Sequence, residues 1–350
     1  MTDSVVEQPA AEPKNAPAVA SPPPVSLARG DQPAIVTRML TKRYGPLTAL
    51  DHLDLVLEKG DVFGFIGPNG AGKSTTMKIL AGLLKPSSGV GEVMGRDVMH
   101  NGDFVRRNVG YMPDFFGVYE DLTVTEYLEF FASAYGIGRR DRKKVVADVL
   151  ELTDLNYKRD ALVDSLSRGM QQRLGLARVL VHDPPILLLD EPASGLDPRA
   201  RIEIRELIKE LQRLGKTILI SSHILSELGE FCNKLGIIER GKLLVTGTIE
   251  DLMQRARVHP IIAVQIVGDA TAAQAAMQQD PRVERVDRSN GNNGNASPTG
   301  ELLVTLRDAK MHHGFLIELL VARHIAIHSI APQQLKLEDV FLRLTKGIVQ

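Results

Sequence analysis

The chain has 350 residues, with 42 basic and 43 acidic side chains, a formal net charge of −1 and 43% hydrophobic residues. This length fits two domains and a tail. The charge balance argues against a dedicated nucleic-acid-binding protein, which usually carries a basic excess. The single cysteine, Cys232, excludes a disulfide within the chain and fits a reducing compartment. No secretory signal is recognisable, and no stretch approaches the roughly 20 apolar residues that span a bilayer.

The N-terminal half alternates short apolar runs with helical patterns. Residues 1–33 are rich in Pro and Ala and predict a disordered tail before a domain at 34–255. Continuous apolar runs, which indicate buried strands, are Val62–Ile66, Ile186–Leu189, Thr217–Ser221 and Leu235–Ile238. Helical patterns are Lys73–Leu84, Glu126–Tyr135, Arg142–Leu152, Met170–Val181 and Arg199–Leu214. This order predicts an α/β fold with a largely parallel core sheet and a helical subdomain at about 115–165.

A phosphate-binding loop is predicted between the strand Val62–Ile66 and the helix that follows it. The residues that fit the pattern G-x-x-x-x-G-K-[ST], with the threonine after it, are Gly67, Pro68, Asn69, Gly70, Ala71, Gly72, Lys73, Ser74 and Thr75. Glycines let the backbone wrap closely around phosphates, and the helix N-terminus attracts an anion. We expect Lys73 to reach the β- and γ-phosphates of a nucleotide and Ser74 to ligate Mg²⁺.

Two acidic residues end the strand Ile186–Leu189. Ligands of parallel sheets bind at the carboxyl ends of strands, so we expect Asp190 to hold Mg²⁺ through water. Glu191 is expected to polarise the attacking water as a general base. His223 follows the strand Thr217–Ser221 and could contact the γ-phosphate, although a lone histidine is more often structural.

Together these residues resemble the nucleotide-binding subunit of ATP-binding cassette (ABC) transporters, over roughly residues 35–250. Leu166–Arg173 is similar to that family's signature segment, usually LSGGQ or LSGGM. The resemblance implies that Ser167 and Gly169 face ATP bound by a second ATP-binding subunit, so that two subunits, expected to be identical, enclose two nucleotides. It also implies that Tyr44 stacks on adenine, that Ser194–Asp197 is the D-loop touching the other subunit, and that His223 is the switch histidine.

The chain departs from the family pattern at two positions. Asp114 stands where the family usually has Gln; it can still ligate Mg²⁺ but cannot donate a hydrogen bond when ionised. Arg168 replaces a Gly of the signature segment, and its side chain is expected to pair with a phosphate or to face solvent. The resemblance implies that an acid at the Asp114 position is common in the ABC-2 export branch, so we expect retained activity with an altered rate. Ser167 and Gly169, the expected γ-phosphate contacts of the signature segment, are present.

Residues 256–350 predict an α+β accessory domain. The predicted elements, in the βαββαβ order of a ferredoxin-like sandwich, are strand Ile261–Val267, helix Thr271–Gln279, strands Val283–Asp287 and Leu302–Leu306, helix Ala309–Arg323 and strand Ile325–Ile330. Ser289–Gly300 would be the hairpin loop, and a last helix is expected near Leu337–Leu344. This region resembles the accessory domain of ATPases of the ABC-2 export branch.

The resemblance implies an ATPase that uses ATP and Mg²⁺ and drives an ABC-2 type exporter with separate transmembrane permease subunits. Such a subunit would lie in the cytoplasm against the inner face of the membrane, with a permease helix docked near Asp114–Val118. One alternative is a soluble ABC-type ATPase without a membrane partner, which the single cassette and the lack of a long coiled coil disfavour. The other is a non-hydrolysing regulatory module, which Glu191 and His223 disfavour. No nucleic acid partner is expected.

Overall fold

The computed structural model describes residues 32–115, 117, 121–255, 261–268, 270–288, 299–307 and 312–332, and its compact unit begins at Pro33. The strands are β1 (Ile35–Tyr44), β2 (Leu47–Leu57), β3 (Val62–Ile66), β4 (Ser88–Val93), β5 (Arg96–Asp97), β6 (Val109–Met112), β7 (Ile186–Asp190), β8 (Thr217–Ser222), β9 (Lys234–Glu239), β10 (Lys242–Thr248), β11 (Ile261–Val267), β12 (Val283–Arg288), β13 (Thr299–Leu306) and β14 (Ala326–Pro332). The helices are α1 (Lys73–Leu80), α2 (Gly102–Asn108), α3 (Val124–Ala134), α4 (Arg139–Leu152), α5 (Arg168–Leu180), α6 (Pro198–Arg213), α7 (Leu225–Leu228), α8 (Ile249–Arg255), α9 (Ala270–Gln278) and α10 (Phe315–Val321).

The central sheet has the strand order β10-β9-β3-β8-β7-β6, and its neighbours are parallel except β10, which is antiparallel to β9. Along β7, Leu187 and Leu189 enter a core shared with α5 and α6, whereas Ile186 and Leu188 enter a second core shared with α1. Burying each such side chain contributes about 1.5–3 kcal/mol. The continuous apolar run therefore reflects burial on both faces, and the predicted α/β fold with a mostly parallel sheet is confirmed.

An antiparallel sheet of order β2-β1-β4-β5 was not predicted and covers the second core. Its buried residues include Leu53, Leu55 and Leu57, which alternate along β2 with more exposed residues. This sheet bears on the phosphate loop because Ala49 and Leu50 of β2 lie beside the start of α1.

Residues 124–165 contain α3, α4 and two short 3-10 helices, Asn156–Lys158 and Val163–Ser165. Helix α3 begins at a capping box in which the Thr123 hydroxyl accepts from the Glu126 N–H and the Glu126 carboxylate accepts from the Thr123 N–H. Apolar side chains of α3 and α4 join the core that holds Leu187 and Leu189. The region is mostly helical, as expected from the sequence.

The strands after residue 260 form a separate antiparallel sheet of order β12-β13-β11-β14. Helices α9 and α10 contribute to its core through Ala273, Met277, Leu316 and Leu320. The elements occur in the predicted order of strand, helix, strand, strand, helix, strand.

Two predicted helices are longer than those in the structure. Helix α1 ends at Leu80 rather than Leu84, because the N–H groups of Gly82 and Leu83 turn back to the carbonyls of Ile79 and Lys78. Helix α10 begins at Phe315 rather than Ala309; the Gly314 N–H donates to the ring of His312, and residues 308–311 lie outside the described residues. Most of the predicted tail and hairpin loop, and the whole predicted last helix, also lie outside the described residues.

The pairing of the parallel strands sets the position of the candidate site. Ile66, the last residue of β3, is paired with Ser222, and Asp190, the last residue of β7, is paired with Ser221. Three strands therefore end side by side, and the chain segments that follow them meet at one edge of the sheet.

Candidate active site

The loop Gly67–Thr75 joins β3 to α1 and is closely enclosed by its neighbours. A Cβ at Gly67 would collide with the backbone oxygen of Ile238, and one at Gly72 would lie 2.6 Å from a methyl of Leu50. Gly72 also has a φ of +112° and directly precedes the first turn of α1. A side chain at this position would be strained as well as crowded. Glycine is therefore required at both positions, where the loop packs against Ile238 and Leu50.

Lys73, the first residue of α1, is buried, with 5% of its surface exposed. Its ammonium donates to the carbonyl of Gly67 at 2.6 Å and to that of Pro68 at 3.3 Å. The same Nζ lies 3.3 Å from Oε1 of Glu191. The lysine thus ties the phosphate loop to the acidic end of β7.

Glu191 has two differently used carboxylate oxygens. Oε2 lies 2.7 Å from Nδ1 of His223, whereas Oε1 is buried and has no hydrogen-bond partner among the described residues, since its approach to Lys73 lacks hydrogen-bond geometry. A carboxylate only accepts hydrogen bonds, so Nδ1 of His223 carries the proton. The backbone of Glu191 has a φ of 49°, an uncommon value for a residue other than glycine that is often found at functional sites.

A serine that was not predicted organises the two acidic residues. The Ser221 hydroxyl donates to Oδ1 of Asp190 at 2.7 Å and accepts from the N–H of Glu191 at 2.9 Å. Asp190 is only 2% exposed, so this bond satisfies a carboxylate that burial would otherwise destabilise. Ser221 therefore fixes the turn after β7 from the neighbouring strand.

Asp114 follows β6 and faces the same acidic edge. Although Asp114 is exposed, its pKa is raised above its ordinary value, first because partial desolvation of the carboxyl disfavours the charged form and then because Asp190 and Glu191 repel it. Burial also raises the pKa of the Tyr111 hydroxyl, with further contributions from Asp190 and Asp114. The edge therefore carries an excess of negative charge that a cation would relieve.

One pocket of about 160 Å³ gathers most of the predicted site residues. Its lining consists of Asn69, Gly70, Ala71, Gly72, Lys73, Ser74, Thr75, Asp114 and Glu191. Backbone donors, an ammonium, hydroxyls and carboxylates thus face one space, a donor set that suits phosphates with a hard cation such as Mg²⁺.

Other predicted residues lie outside this pocket. Tyr44 ends β1 with 47% of its surface exposed, and Nζ of Lys42 lies 5.0 Å from its ring centroid. Ser167 and Gly169 line a second pocket of about 440 Å³, which also includes Gly195. The Ser167 hydroxyl caps α5 by accepting from the N–H of Met170 at 3.4 Å.

Removing the charge of Asp114 should stabilise the protein without metal. Because its folded-state pKa is raised, wild-type stability falls as pH rises through that pKa, and an Asn variant lacks this loss. We expect Asp114→Asn to raise the Tm in EDTA at pH 7, with a gain that disappears at low pH, and to weaken Mg²⁺ binding in the presence of ATP. Thermal melts across pH and a Mg²⁺ titration test this. A lower Tm for the variant at pH 7 would contradict it.

Comparisons with known proteins identify relatives of the chain. The ABC transporter family model matches residues 50–194. The chain is 40% identical over 218 residues to the probable multidrug ABC transporter ATP-binding protein YbhF of Escherichia coli, a match that covers 62% of this chain but only 38% of that protein. It is 35% identical over 323 residues to the Nod factor export ATP-binding protein I of Ralstonia nicotianae, covering 90% of this chain and 95% of that protein. It also matches a dimeric post-hydrolysis ATP-binding cassette bound to ADP and Pi, with a TM-score of 0.57, 26% identity and coverage of 61% of this chain and 98% of that one.

Proposed function

The chain belongs to the ATP-binding proteins of ABC transporters and is an ABC-type ATPase, and we propose that it drives an ABC-2 type exporter whose transmembrane subunits are separate chains. The Nod factor relative, which is named for export, supports this direction because it matches along 90% of the chain. YbhF is named for multidrug transport and supports the same class, although the chain spans 38% of its length.

The observation that carries the proposal is the convergence of Lys73, Glu191 and His223 beside the phosphate loop. Lys73 binds the β- and γ-phosphates of ATP with its ammonium. Oε1 of Glu191 accepts no hydrogen bond from the described residues, although it lies 3.3 Å from Nζ of Lys73. It takes a proton from water as the water oxygen bonds to the γ-phosphorus and the bond to the ADP oxygen breaks. His223 holds Oε2 and so keeps the carboxylate oriented. Positioning and charge stabilisation supply the rate enhancement.

We propose that Mg²⁺ binds with ATP next to Ser74 and Asp114, and to Asp190 through water. Mg²⁺ neutralises phosphate charge when bound. Its usual protein ligands are one or two carboxylates beside substrate phosphates, which fits the acidic edge. A water-mediated role suits Asp190, because it does not line the pocket and its Oδ1 already accepts from Ser221. We propose that the ring of Tyr44, which is 47% exposed, stacks on adenine.

A second ATP-binding subunit, which we propose to be an identical copy, completes each site. Ser167 and Gly169 do not line the phosphate-loop pocket of their own chain, and they face the separate pocket beside Gly195. The start of α5 suits the γ-phosphate of ATP held by the partner, because a helix N-terminus attracts an anion. ATP then favours the closed pair because it contacts both subunits only in that state.

We propose that the protein is located at the cytoplasmic face of the membrane, bound to the permease. No helix within the described ranges is long and apolar enough to cross a bilayer. Phe115 is 86% exposed beside Asp114, which supports permease docking at this point. Residues 116 and 118 of the predicted docking segment lie outside the described residues.

Phosphate release from Mg-ATP and recovery from detergent-solubilised membranes test the proposal. We expect the pure chain to release phosphate and to pair in the presence of ATP, and we expect the chain to copurify with a protein of several transmembrane helices. Hydrolysis without any such membrane protein would favour the soluble ATPase. ATP binding without phosphate release would favour the regulatory module.

A further inference from the structure

Arg168, the first residue of α5, lies against the loop that carries Gly195. A Cβ built on Gly195 would lie 2.5 Å from Cζ of Arg168 and 2.6 and 2.7 Å from its terminal nitrogens, so the guanidinium covers the glycine. Gly195 also has a φ of +66°, which favours glycine. The contact therefore needs a long planar side chain on one segment and no side chain on the other. Arg168 is exposed, as one of the two expectations from the sequence had it, and its guanidinium also packs against Gly195.

The two segments are held together at a second point. Gly169 approaches α6 so closely that a Cβ there would lie 2.9 Å from Cβ of Ala200. Asp197 caps α6 by accepting from the N–H groups of Arg199 and Ala200 at 2.9 and 3.0 Å. The starts of α5 and α6 thus form one wall, with Arg168 at its outer edge.

Arg168 has no hydrogen-bond or ion-pair acceptor within the described part of the chain, so its position depends on packing against Gly195. The guanidinium therefore joins the signature segment to the D-loop, and both residues line the same pocket.

We propose that Arg168 is a positioning residue that holds the D-loop, Ser194–Asp197, against the signature segment of the same subunit. This inference rests on the proposed function, in which both segments face the partner's ATP. With Arg168 in place the two segments move together, so binding of the partner's ATP to Ser167 also fixes the position of the D-loop. Without this side chain the D-loop is free to move while the signature segment is engaged.

Arg168→Gly is expected to lower kcat for ATP hydrolysis about tenfold, because small misplacements of positioning groups slow a reaction strongly. The KM for ATP should change less than about twofold, since the phosphate loop binds ATP elsewhere. Arg168→Lys should restore little, because an ammonium does not offer a flat face to Gly195. Arg139→Gly is the matched control, since Arg139 is the exposed first residue of α4. Full rescue by Lys, or an equal loss in the control, would overturn the inference.

A double-mutant cycle separates this contact from direct binding of phosphate. Gly195→Ala places a Cβ against Arg168, but in the Arg168→Gly background that Cβ meets no guanidinium. The backbone strain at Gly195 is the same in both backgrounds and cancels. We therefore expect the loss in kcat from Gly195→Ala to be at least about threefold smaller in the Arg168→Gly background. Losses that simply multiply would show that the two residues act independently and would overturn the inference.

Hydrogen exchange in the isolated subunit tests the contact without hydrolysis. The N–H groups of Ser194 and Leu196 bond to the carbonyls of Glu191 and Ala193, so their exchange reports opening of the D-loop. Arg168→Gly should speed this exchange several-fold without ATP, and Arg139→Gly should not. Unchanged exchange would reject the contact even if the wild type hydrolyses ATP. If exchange is faster in Arg168→Gly than in the wild type, but the wild type releases no phosphate, only the proposed function is rejected.

Discussion

Glu191→Gln is expected to lower kcat for ATP hydrolysis by about 10²–10⁴-fold while ATP binding persists. The amide has nearly the volume of the carboxylate, and its oxygen can still accept from Nδ1 of His223, which lies 2.7 Å from the native Oε2. It cannot take a proton from water at pH 7. The variant should therefore keep the shape of the pocket and lose the chemical step.

The same variant should accumulate as an ATP-dependent pair of subunits. In the proposed two-subunit site, hydrolysis removes the γ-phosphate from between the phosphate loop of one subunit and Ser167 of the other, so blocking it leaves the closed state populated. Phosphate release gives the rate, and sedimentation with and without Mg-ATP gives the size. We expect the pair only with ATP.

Glu210→Gln is the control for the Glu191 variant, because Glu210 makes only a surface pair with Arg213 on α6. It should hydrolyse ATP like the wild type. A Glu191→Gln protein that keeps the parental rate would remove Glu191 as the base. Absence of a pair at any ATP concentration, with hydrolysis blocked, would instead count against the two-subunit site.

Features that depend on residues close together in the sequence were predictable. The loop that ends in Gly72 and Lys73 lies between a strand and a helix as expected, because a continuous apolar run and a glycine-rich turn identify that junction. The acidic pair at the end of β7 lies at the same edge because parallel strands share a direction. Burial on both faces of the sheet was likewise readable from Ile186–Leu189.

Features that depend on distant pairing were not predictable. Ser221 is an ordinary residue of an apolar run, and only the register of β8 against β7 brings its hydroxyl between Asp190 and the N–H of Glu191. Arg168 and Gly195 are far apart in the sequence, and neither residue type indicates the other. The antiparallel sheet was not predicted for a different reason. Leu53, Leu55 and Leu57 alternate with polar residues at the two-residue period of a strand, but charged residues interrupt the apolar pattern of its neighbour β1.

Lys73→Met is expected to weaken ATP binding by at least about 30-fold, since losing one partner of a buried charge pair costs about 2 kcal/mol or more. Met keeps the length of the side chain but removes the ammonium that reaches the carbonyls of Gly67 and Pro68. Wild-type protein at an ATP concentration of 100 times Kd should gain about 2.7 kcal/mol of stability from binding. A variant that binds ATP about 30-fold more weakly should gain at most about 0.9 kcal/mol at the same concentration, a third of the wild-type value. Thermal melts with and without ATP measure the difference.

The control for this charge loss lies on the same helix. Lys78 is exposed in the last turn of α1, so Lys78→Met removes an ammonium without touching the phosphate loop. It should keep the full ATP-dependent rise in Tm. If Lys73→Met also kept that rise, the phosphates would not lie against Lys73, and its 3.3 Å approach to Glu191 would be a structural ion pair only. A loss of the rise in Lys73→Met alone would place the phosphates where Gly67, Lys73 and Glu191 meet, and thus beside the oxygen that we propose as the base.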